Sequence, residues 1–174
     1  MSTAGNRPVV VVVGPPGAGK STVAAALAER LGVPFRDTDD DVAELAAASI
    51  EEIFVDHGEA HFRALEEQAV ERALAEHSGV LALGGGAVLS EATRRRLADH
   101  RVLYLEVGLA EASRRVGLNA AGRPLLLGNV RSQLKQMLDA RTPLYREVAD
   151  LTVATDGLDV DAVTDAAYDL LEKP

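Results

Sequence analysis

The residues best suited to chemistry form a glycine-rich turn near the N-terminus. Gly14 and Gly19 are separated by four residues and are followed by Lys20 and Ser21. This spacing is typical of a phosphate-binding loop, in which backbone N–H groups turn toward a phosphate and the next helix points its positive end at the same place. We predict that this loop, residues 14–22, binds a nucleoside triphosphate, with Lys20 on the β- and γ-phosphates and the Ser21 hydroxyl on Mg²⁺.

The flanking elements favour this interpretation over a turn that merely connects a strand to a helix. Five consecutive valines, residues 9–13, precede the loop and are typical of a strand buried on both faces of a parallel sheet. An alanine-rich helix from Ser21 to about Arg30 follows, and Gly32 ends it.

Two acidic residues, Asp37 and Asp39, follow a short predicted strand at residues 33–37. The third predicted strand, residues 79–83, ends in Gly84 and lacks the Asp that usually helps to hold Mg²⁺ in P-loop proteins. Asp37 and Asp39 are best placed to replace it. In an extended backbone both side chains leave the same face, so that one carboxylate could serve the metal and the other a substrate hydroxyl. The alternative is that both are loop and helix-cap residues.

Two further pairs of residues have spacings that would allow their side chains to interact on a helix. Arg63 lies three residues before Glu66 on a predicted helix, and by itself this pair is most simply a surface ion pair. His57 and His61 are four residues apart and could share a metal, but Gly58 weakens a helix between them and no third ligand is evident. We expect the two histidines to be exposed.

Strands alternate with helices along the chain, which predicts an α/β fold, a three-layer α/β/α domain with a five-stranded, mostly or wholly parallel sheet. The remaining strands are predicted at residues 101–107 and 151–155, and the spacing does not indicate the strand order. Thr38 to Asp41 are predicted to end the second strand and cap the next helix. A helical insertion is predicted at about 38–76, divided near residues 48–49 and 56–58, and a helix from Val130 to about Val148, interrupted near Pro143. Residues 117–129 contain too many turn residues for a helix and are predicted to form a mobile lid.

Composition excludes several classes of protein. The 174 residues suffice for one domain with a substantial core, residues 1–174, and 47% of them are hydrophobic. A net charge of −9 argues against a nucleic-acid binder, and the absence of cysteine excludes disulfides and thiolate chemistry. No Asn-Lys-x-Asp motif occurs, which argues against a GTPase. The sequence contains no evident export signal or membrane anchor, so we expect a soluble, cytoplasmic protein.

Several motifs occur together, in order, along nearly the whole chain. They are the phosphate loop at Gly14–Thr22, Asp-Thr-Asp at Asp37–Asp39, Gly-Glu-x-x-Phe-Arg-x-x-Glu at Gly58–Glu66, Gly-Gly-Gly at Gly84–Gly86, Arg-Pro-Leu at Arg123–Leu125 and Arg-x-Pro-Leu-Tyr at Arg141–Tyr145. In combination they resemble the shikimate kinase family. The resemblance implies a fold like that of the P-loop nucleoside monophosphate kinases and transfer of the γ-phosphate of ATP to the 3-hydroxyl of shikimate, on the route to chorismate and aromatic amino acids. It also implies a monomer that uses Mg²⁺.

The resemblance assigns roles to individual residues. Lys20, Asp39 and Arg123 would be catalytic, with Asp39 accepting the proton of the substrate hydroxyl. Ser21 and Asp37 would hold the metal, the latter through water. The ATP site would comprise Gly17, Ala18, Gly19, Lys20, Ser21, Thr22, Arg115 and Arg123. The shikimate site would comprise Asp39, Phe54, Phe62, Arg63, Gly84, Gly85, Gly86 and Arg141, with Glu66 orienting Arg63.

The chain departs from the family pattern in its last strand and its lid. The family's last strand usually reads Val-Asp-Thr with a proline shortly after it, whereas this chain has Val153-Ala154-Thr155 and no proline. The lid looks slightly longer before Arg123. Two other functions are compatible with the loop: a kinase of the same fold for another hydroxy acid, such as gluconate or a cyclitol acid, and a nucleotide-dependent switch without turnover.

Overall fold

A five-stranded parallel sheet forms the centre of the computed structural model, which describes residues 6–119 and 127–173. Its strands are β1 (Val10–Val13), β2 (Phe35–Asp37), β3 (Val80–Ala82), β4 (Val102–Glu106) and β5 (Leu151–Ala154). They lie in the order β2-β3-β1-β4-β5, and every pair is parallel. The predicted fold class is confirmed.

The helices cover both faces of this sheet. They are α1 (Lys20–Leu31), α2 (Thr38–Ala46), α3 (Ile50–His57), α4 (Glu59–Glu76), α5 (Glu91–Leu97), α6 (Leu109–Asn119), α7 (Leu127–Val148) and α8 (Val160–Glu172), with a short 3-10 helix at Ala87–Leu89. None of the helices in the described ranges is long and apolar enough to cross a membrane. The predicted division of the insertion near residues 48–49 and 56–58 is confirmed by the breaks between α2, α3 and α4.

Strand β1 explains why the predicted phosphate loop begins at the centre of one edge of the sheet. Val10 and Val12 pack into a core cluster with α1 and α8, while Val11 and Val13 pack into a second cluster with α4, α5 and α7. All four side chains are at most 2% exposed, because successive residues of a strand point to opposite faces and both faces are covered. The loop that follows Val13 therefore begins at the centre of the carboxyl edge of the sheet, where open α/β sheets bind ligands.

Two predictions about the C-terminal half are wrong. Helix α7 runs through Pro143 without a break. Leu134 and Leu138 before the proline and Tyr145 after it are all buried, so core packing on both sides offsets the hydrogen bond that proline cannot make.

The predicted lid bounds are also wrong, because α6 continues to Asn119 and α7 already begins at Leu127. These helices pack against each other, which favours helix even at residues with turn propensity. Residues 120–126, the middle of the predicted lid, lie outside the described part of the chain, and Arg123 is among them.

Candidate active site

The glycine-rich loop turns sharply between β1 and α1. Gly14, Gly17 and Gly19 have φ values of 155°, 87° and 81°, a range that side chains disfavour. A Cβ atom at Gly14 would also lie 2.6 Å from the carbonyl oxygen of Leu105 on β4. Gly19 is the N-cap of α1, so the helix begins at Lys20. The first N–H groups of α1 therefore face the same space as the loop, which makes it suitable for an anion.

Lys20 lies among charged groups from three parts of the chain. Its Nζ donates a hydrogen bond to the carbonyl oxygen of Pro15 at 3.2 Å. The pKa of Lys20 is lowered to about 8, mainly by burial. The nearby carboxylates of Asp39 and Asp37 raise this pKa, and the positive charge of Arg141 lowers it. At neutral pH the amine is mostly protonated, and the negative charge of a bound phosphate would keep it protonated.

Asp37 connects the phosphate loop to α2. The Ser21 hydroxyl donates to Asp37 Oδ2 at 2.5 Å, and Asp37 Oδ1 accepts the Asp39 backbone N–H at 2.9 Å. Asp37 is therefore the N-cap, and α2 begins directly at Thr38. The prediction that Thr38 to Asp41 cap this helix is wrong, and so is the extended backbone predicted from Asp37 to Asp39. The capping carboxylate satisfies an N–H of the first turn and so starts the helix immediately after β2.

Asp39 lies in the first turn of α2 and faces Gly84, the residue that follows β3 and Leu83. A Cβ atom at Gly84 would lie 2.6 Å from Asp39 Oδ1 and 2.6 Å from Glu66 Oε2, so a larger residue there would displace one or both of these carboxylates. Burial raises the pKa of Asp39 to about 6, the negative charges of Asp37 and Glu66 add to that, and Lys20 opposes it. Such a carboxyl group can exchange a proton near neutral pH.

The Arg63–Glu66 pair is not a solvated surface pair. The Arg63 guanidinium donates to Glu66 Oε1 at 2.8 Å, and the Glu66 side chain is only 4% exposed. Burial raises the pKa of Glu66, whereas Arg63 and Arg141 both lower it, so two arginines from α4 and α7 act on one carboxylate. The Arg63 guanidinium also occupies the space that a Cβ atom at Gly86 would fill.

Aromatic side chains lie beside Arg63. Phe54 and Phe62 have ring centroids 4.7 Å apart, and the Arg63 guanidinium lies 5.1 Å from the centroid of Phe62. Phe62 is 5% exposed and Phe54 is 38% exposed, so an apolar surface remains open to a ligand. His57 and His61 are exposed, as expected, and the described residues contain no cluster of three or more potential metal-ligating side chains.

Comparison with known proteins identifies the family. The family model described as Shikimate kinase matches residues 16–172. The chain belongs to the shikimate kinase family. A shikimate kinase from Saccharopolyspora erythraea is 63% identical over 91% of this chain and 90% of its own length. The structure of shikimate kinase from Acinetobacter baumannii in complex with shikimate has a TM-score of 0.86 at 32% identity, covering 98% of this chain and 95% of that one.

A gluconokinase from Sinorhizobium meliloti is a more distant match, with a TM-score of 0.56 and 17% identity over 96% of this chain and 92% of that one. At that identity the likeness shows the fold alone. Members of the shikimate kinase family are ATP-dependent kinases that act on an alcohol group.

Arg115 connects the phosphate loop to the atypical segment after β5. Its guanidinium donates to the carbonyl oxygens of Gly17 at 2.8 Å and Thr155 at 3.1 Å, and to Glu111 at 3.0 Å. Beside it lies a cavity of about 310 Å³ with an apolar side formed by Leu158, Val160 and Val163. The segment that lacks the family's proline therefore still closes around the loop.

Two polar contacts of the candidate site could not be predicted from the sequence. The Gly84 N–H donates to Thr38 Oγ1 at 3.2 Å, and the Tyr145 hydroxyl donates to the Gly85 carbonyl oxygen at 2.5 Å. Thr38 lies between the two acids and Tyr145 ends the Arg-x-Pro-Leu-Tyr motif, but each is separated in sequence from its glycine partner, by 46 and 60 residues, so no local pattern indicates the contact.

Proposed function

We propose that the protein transfers the γ-phosphate of ATP to the 3-hydroxyl of shikimate, giving shikimate 3-phosphate and ADP, on the route to chorismate and aromatic amino acids. The observation that carries this proposal is the grouping around Gly84. There, a carboxylate able to accept a proton, Asp39, lies beside the Arg63–Glu66 pair and within electrostatic reach of Lys20. A relative 63% identical that bears the name Shikimate kinase supports the same substrate.

The substrate carboxylate is held by Arg63 and Arg141 in this proposal. Arg63 donates to Glu66 and Arg141 lies within electrostatic reach of the same carboxylate, so both guanidiniums have further N–H donors near one point that could bind a second carboxylate. Planar, charge-assisted contacts suit a carboxylic acid better than a nucleotide base. Phe54 and Phe62 supply the apolar wall, and the backbone of Gly84, Gly85 and Gly86 contacts the ring substituents.

Mg²⁺ is proposed on Ser21 and Asp37. Their side-chain oxygens lie 2.5 Å apart at the edge of the phosphate loop, and hydroxyl and carboxylate oxygens are the ligands that this hard cation prefers. When bound, the ion would neutralise charge on the β- and γ-phosphate oxygens. The residues present fit the ion.

The chemistry then needs mainly alignment and positive charge. Asp39 orients the 3-hydroxyl and takes its proton as the oxygen bonds to the γ-phosphorus and the bond to ADP breaks. Lys20 stabilises the charge on the transferred group, and loop amides from Gly17 to Thr22 hold the other phosphates. Arg115 borders the nucleotide cavity, and Arg123 is proposed to close over the phosphate. We treat residues 1–174 as one monomeric kinase domain, with the insertion at 38–76 as its substrate-binding part.

A substrate panel tests the proposal. Release of ADP is coupled to an indicator reaction with shikimate, gluconate and cyclitol acids as acceptors. We expect shikimate to exceed every other acid by orders of magnitude in kcat/KM, and product analysis to give shikimate 3-phosphate. A higher kcat/KM for another acid would select the alternative kinase function, and tight ATP binding without any phosphorylated product would select the switch.

Replacing Arg141 with lysine is predicted to raise the KM for shikimate about tenfold to a hundredfold, with a much smaller change in the KM for ATP, because an ammonium group cannot reproduce a planar two-point contact. Steady-state kinetics with each substrate varied in turn measure both constants. Arg146→Lys is a matched control, since Arg146 is an exposed residue of the same helix that lies 3.5 Å from Glu106. Equal increases in both KM values would assign Arg141 to the nucleotide instead.

A further inference from the structure

Tyr145 is a buried tyrosine whose hydroxyl ends at the glycine loop after β3. Its side chain is fully buried, its ring stacks on Tyr104 of β4 with centroids 5.2 Å apart, and its hydroxyl donates to the Gly85 carbonyl oxygen at 2.5 Å. Burial raises the pKa of Tyr145 to about 12, although Arg141 lowers it. The hydroxyl therefore stays protonated and remains a donor across the working pH range.

This hydrogen bond determines which way one peptide unit faces. The Gly85–Gly86 bond is trans, so the Gly85 carbonyl and the Gly86 N–H point in opposite directions. Because the carbonyl is held toward the Tyr145 hydroxyl, the Gly86 N–H points away from that hydroxyl. Glycine on both sides of the bond would otherwise allow the unit to rotate at little steric cost. Gly86 lies directly against the Arg63 guanidinium and borders a cavity of about 470 Å³ that Arg63 and Glu66 also line.

The same tyrosine lies one helical turn after Arg141. Residues four apart share a helix face, and Arg141 is close enough to Tyr145 to affect its pKa. Tyr145 thus connects the helix that carries one arginine to the loop that packs against the other.

We propose that Tyr145 is a positioning residue whose hydroxyl holds the Gly85–Gly86 peptide so that the Gly86 N–H faces the carboxylic acid substrate between Arg63 and Arg141. This inference rests on the proposed function, because it takes the acid to bind at that place. Loss of the hydroxyl would leave the half-buried Gly85 carbonyl without its donor and free the peptide to rotate. Binding of the acid would then weaken, while the phosphate loop would be unaffected.

Tyr145→Phe removes the hydroxyl and keeps the stacked ring, and Tyr104→Phe makes the same change in the neighbouring ring, which does not reach the glycine loop. We expect the KM for shikimate to rise about tenfold in Tyr145→Phe, with the KM for ATP and kcat within about twofold of the wild type. Tyr104→Phe should leave both KM values within about twofold. If Tyr145 had a merely structural role, Tyr145→Phe would lower the Tm and raise the KM for shikimate and the KM for ATP equally. That result would overturn the proposal.

Different results would contradict the proposed function and the role of Tyr145. If the wild-type protein does not phosphorylate shikimate, the proposed function itself is wrong. If the wild type is active and Tyr145→Phe has an unchanged KM for shikimate, only the role of Tyr145 is overturned.

Nuclear magnetic resonance gives a second readout that does not depend on turnover. The sequence contains glycine–glycine bonds only at Gly84–Gly85 and Gly85–Gly86, so glycine labelled with ¹³C at the carbonyl and ¹⁵N at the amide gives only two carbonyl–amide correlation peaks. In the wild type, shikimate should shift the peak that joins the Gly85 carbonyl to the Gly86 amide. Tyr145→Phe should move the Gly85 carbonyl resonance and leave that of Gly84 in place. A Gly86 amide unmoved by saturating shikimate would overturn the proposal even if Tyr145→Phe failed to fold.

Discussion

Replacing Lys20 with alanine is expected to lower kcat by about 10²–10³-fold while the fold is retained, because the amine supplies charge beside the transferred phosphate and contributes little to the core. Among the described residues its side chain donates to the Pro15 carbonyl, and the neighbouring Val23 and Ala24 of α1 pack in the core without it. Circular dichroism and Tm check the fold, and coupled ADP release at saturating substrates gives kcat.

The same variant has a second expected effect. Lys20 lowers the pKa of Asp39, so its removal should shift the acidic limb of the pH–rate profile to higher pH. Lys135→Ala is the control, since Lys135 is an exposed lysine of α7 that pairs with Asp139, four residues along the helix. A folded Lys20→Ala variant with near-normal kcat would contradict the assignment of residues 14–22 as the catalytic phosphate loop.

Local patterns predicted most of the fold. The valine run at residues 9–13 and the glycine spacing after it are short-range signals, and β1, the loop and α1 occur where these signals indicate. The strand order could not be predicted, because it depends on pairings such as Val11 with Val102, which are far apart in sequence. Pro143 was misinterpreted for the same reason: the packing that keeps α7 continuous is tertiary, and propensity does not contain it.

The candidate site shows the same division. The sequence singled out Asp37, Asp39, Arg63 and Glu66 by type and spacing, and the structure gathers them near the phosphate loop. The sequence could not reveal that Asp39 and Glu66 flank Gly84, because these three residues lie on α2, on α4 and at the end of β3. The separation of Asp37 from Asp39 also arises differently from the prediction. A helix start, not an extended strand, directs one carboxylate to Ser21 and the other to Gly84.

Asp39 is proposed to serve the substrate hydroxyl and Asp37 the metal, so replacing Asp39 should have a large effect on kcat. Asp39→Asn should lower kcat by about 10²–10⁴-fold, the usual contribution of a general base, with little change in ATP affinity. The amide keeps the size and one acceptor oxygen but cannot take the proton. Because the pKa of Asp39 in the free protein is about 6, the wild-type kcat/KM for shikimate should fall as the pH drops below about 6, where the base becomes protonated, and this acidic limb should vanish in Asp39→Asn. Asp40→Asn is the control, an exposed neighbour in the same helical turn.

Asp37→Asn should behave in the opposite way. It removes the carboxylate that lies 2.5 Å from the Ser21 hydroxyl, so the Mg²⁺ concentration needed for half-maximal activity should rise and productive ATP binding should weaken. Since the charge of Asp37 also raises the pKa of Asp39, the acidic limb should move to lower pH in this variant. Titrating both variants with Mg²⁺ at saturating shikimate separates the two roles. Rescue of Asp39→Asn, but not of Asp37→Asn, by additional Mg²⁺ would mean that Asp39 serves the metal and Asp37 the hydroxyl.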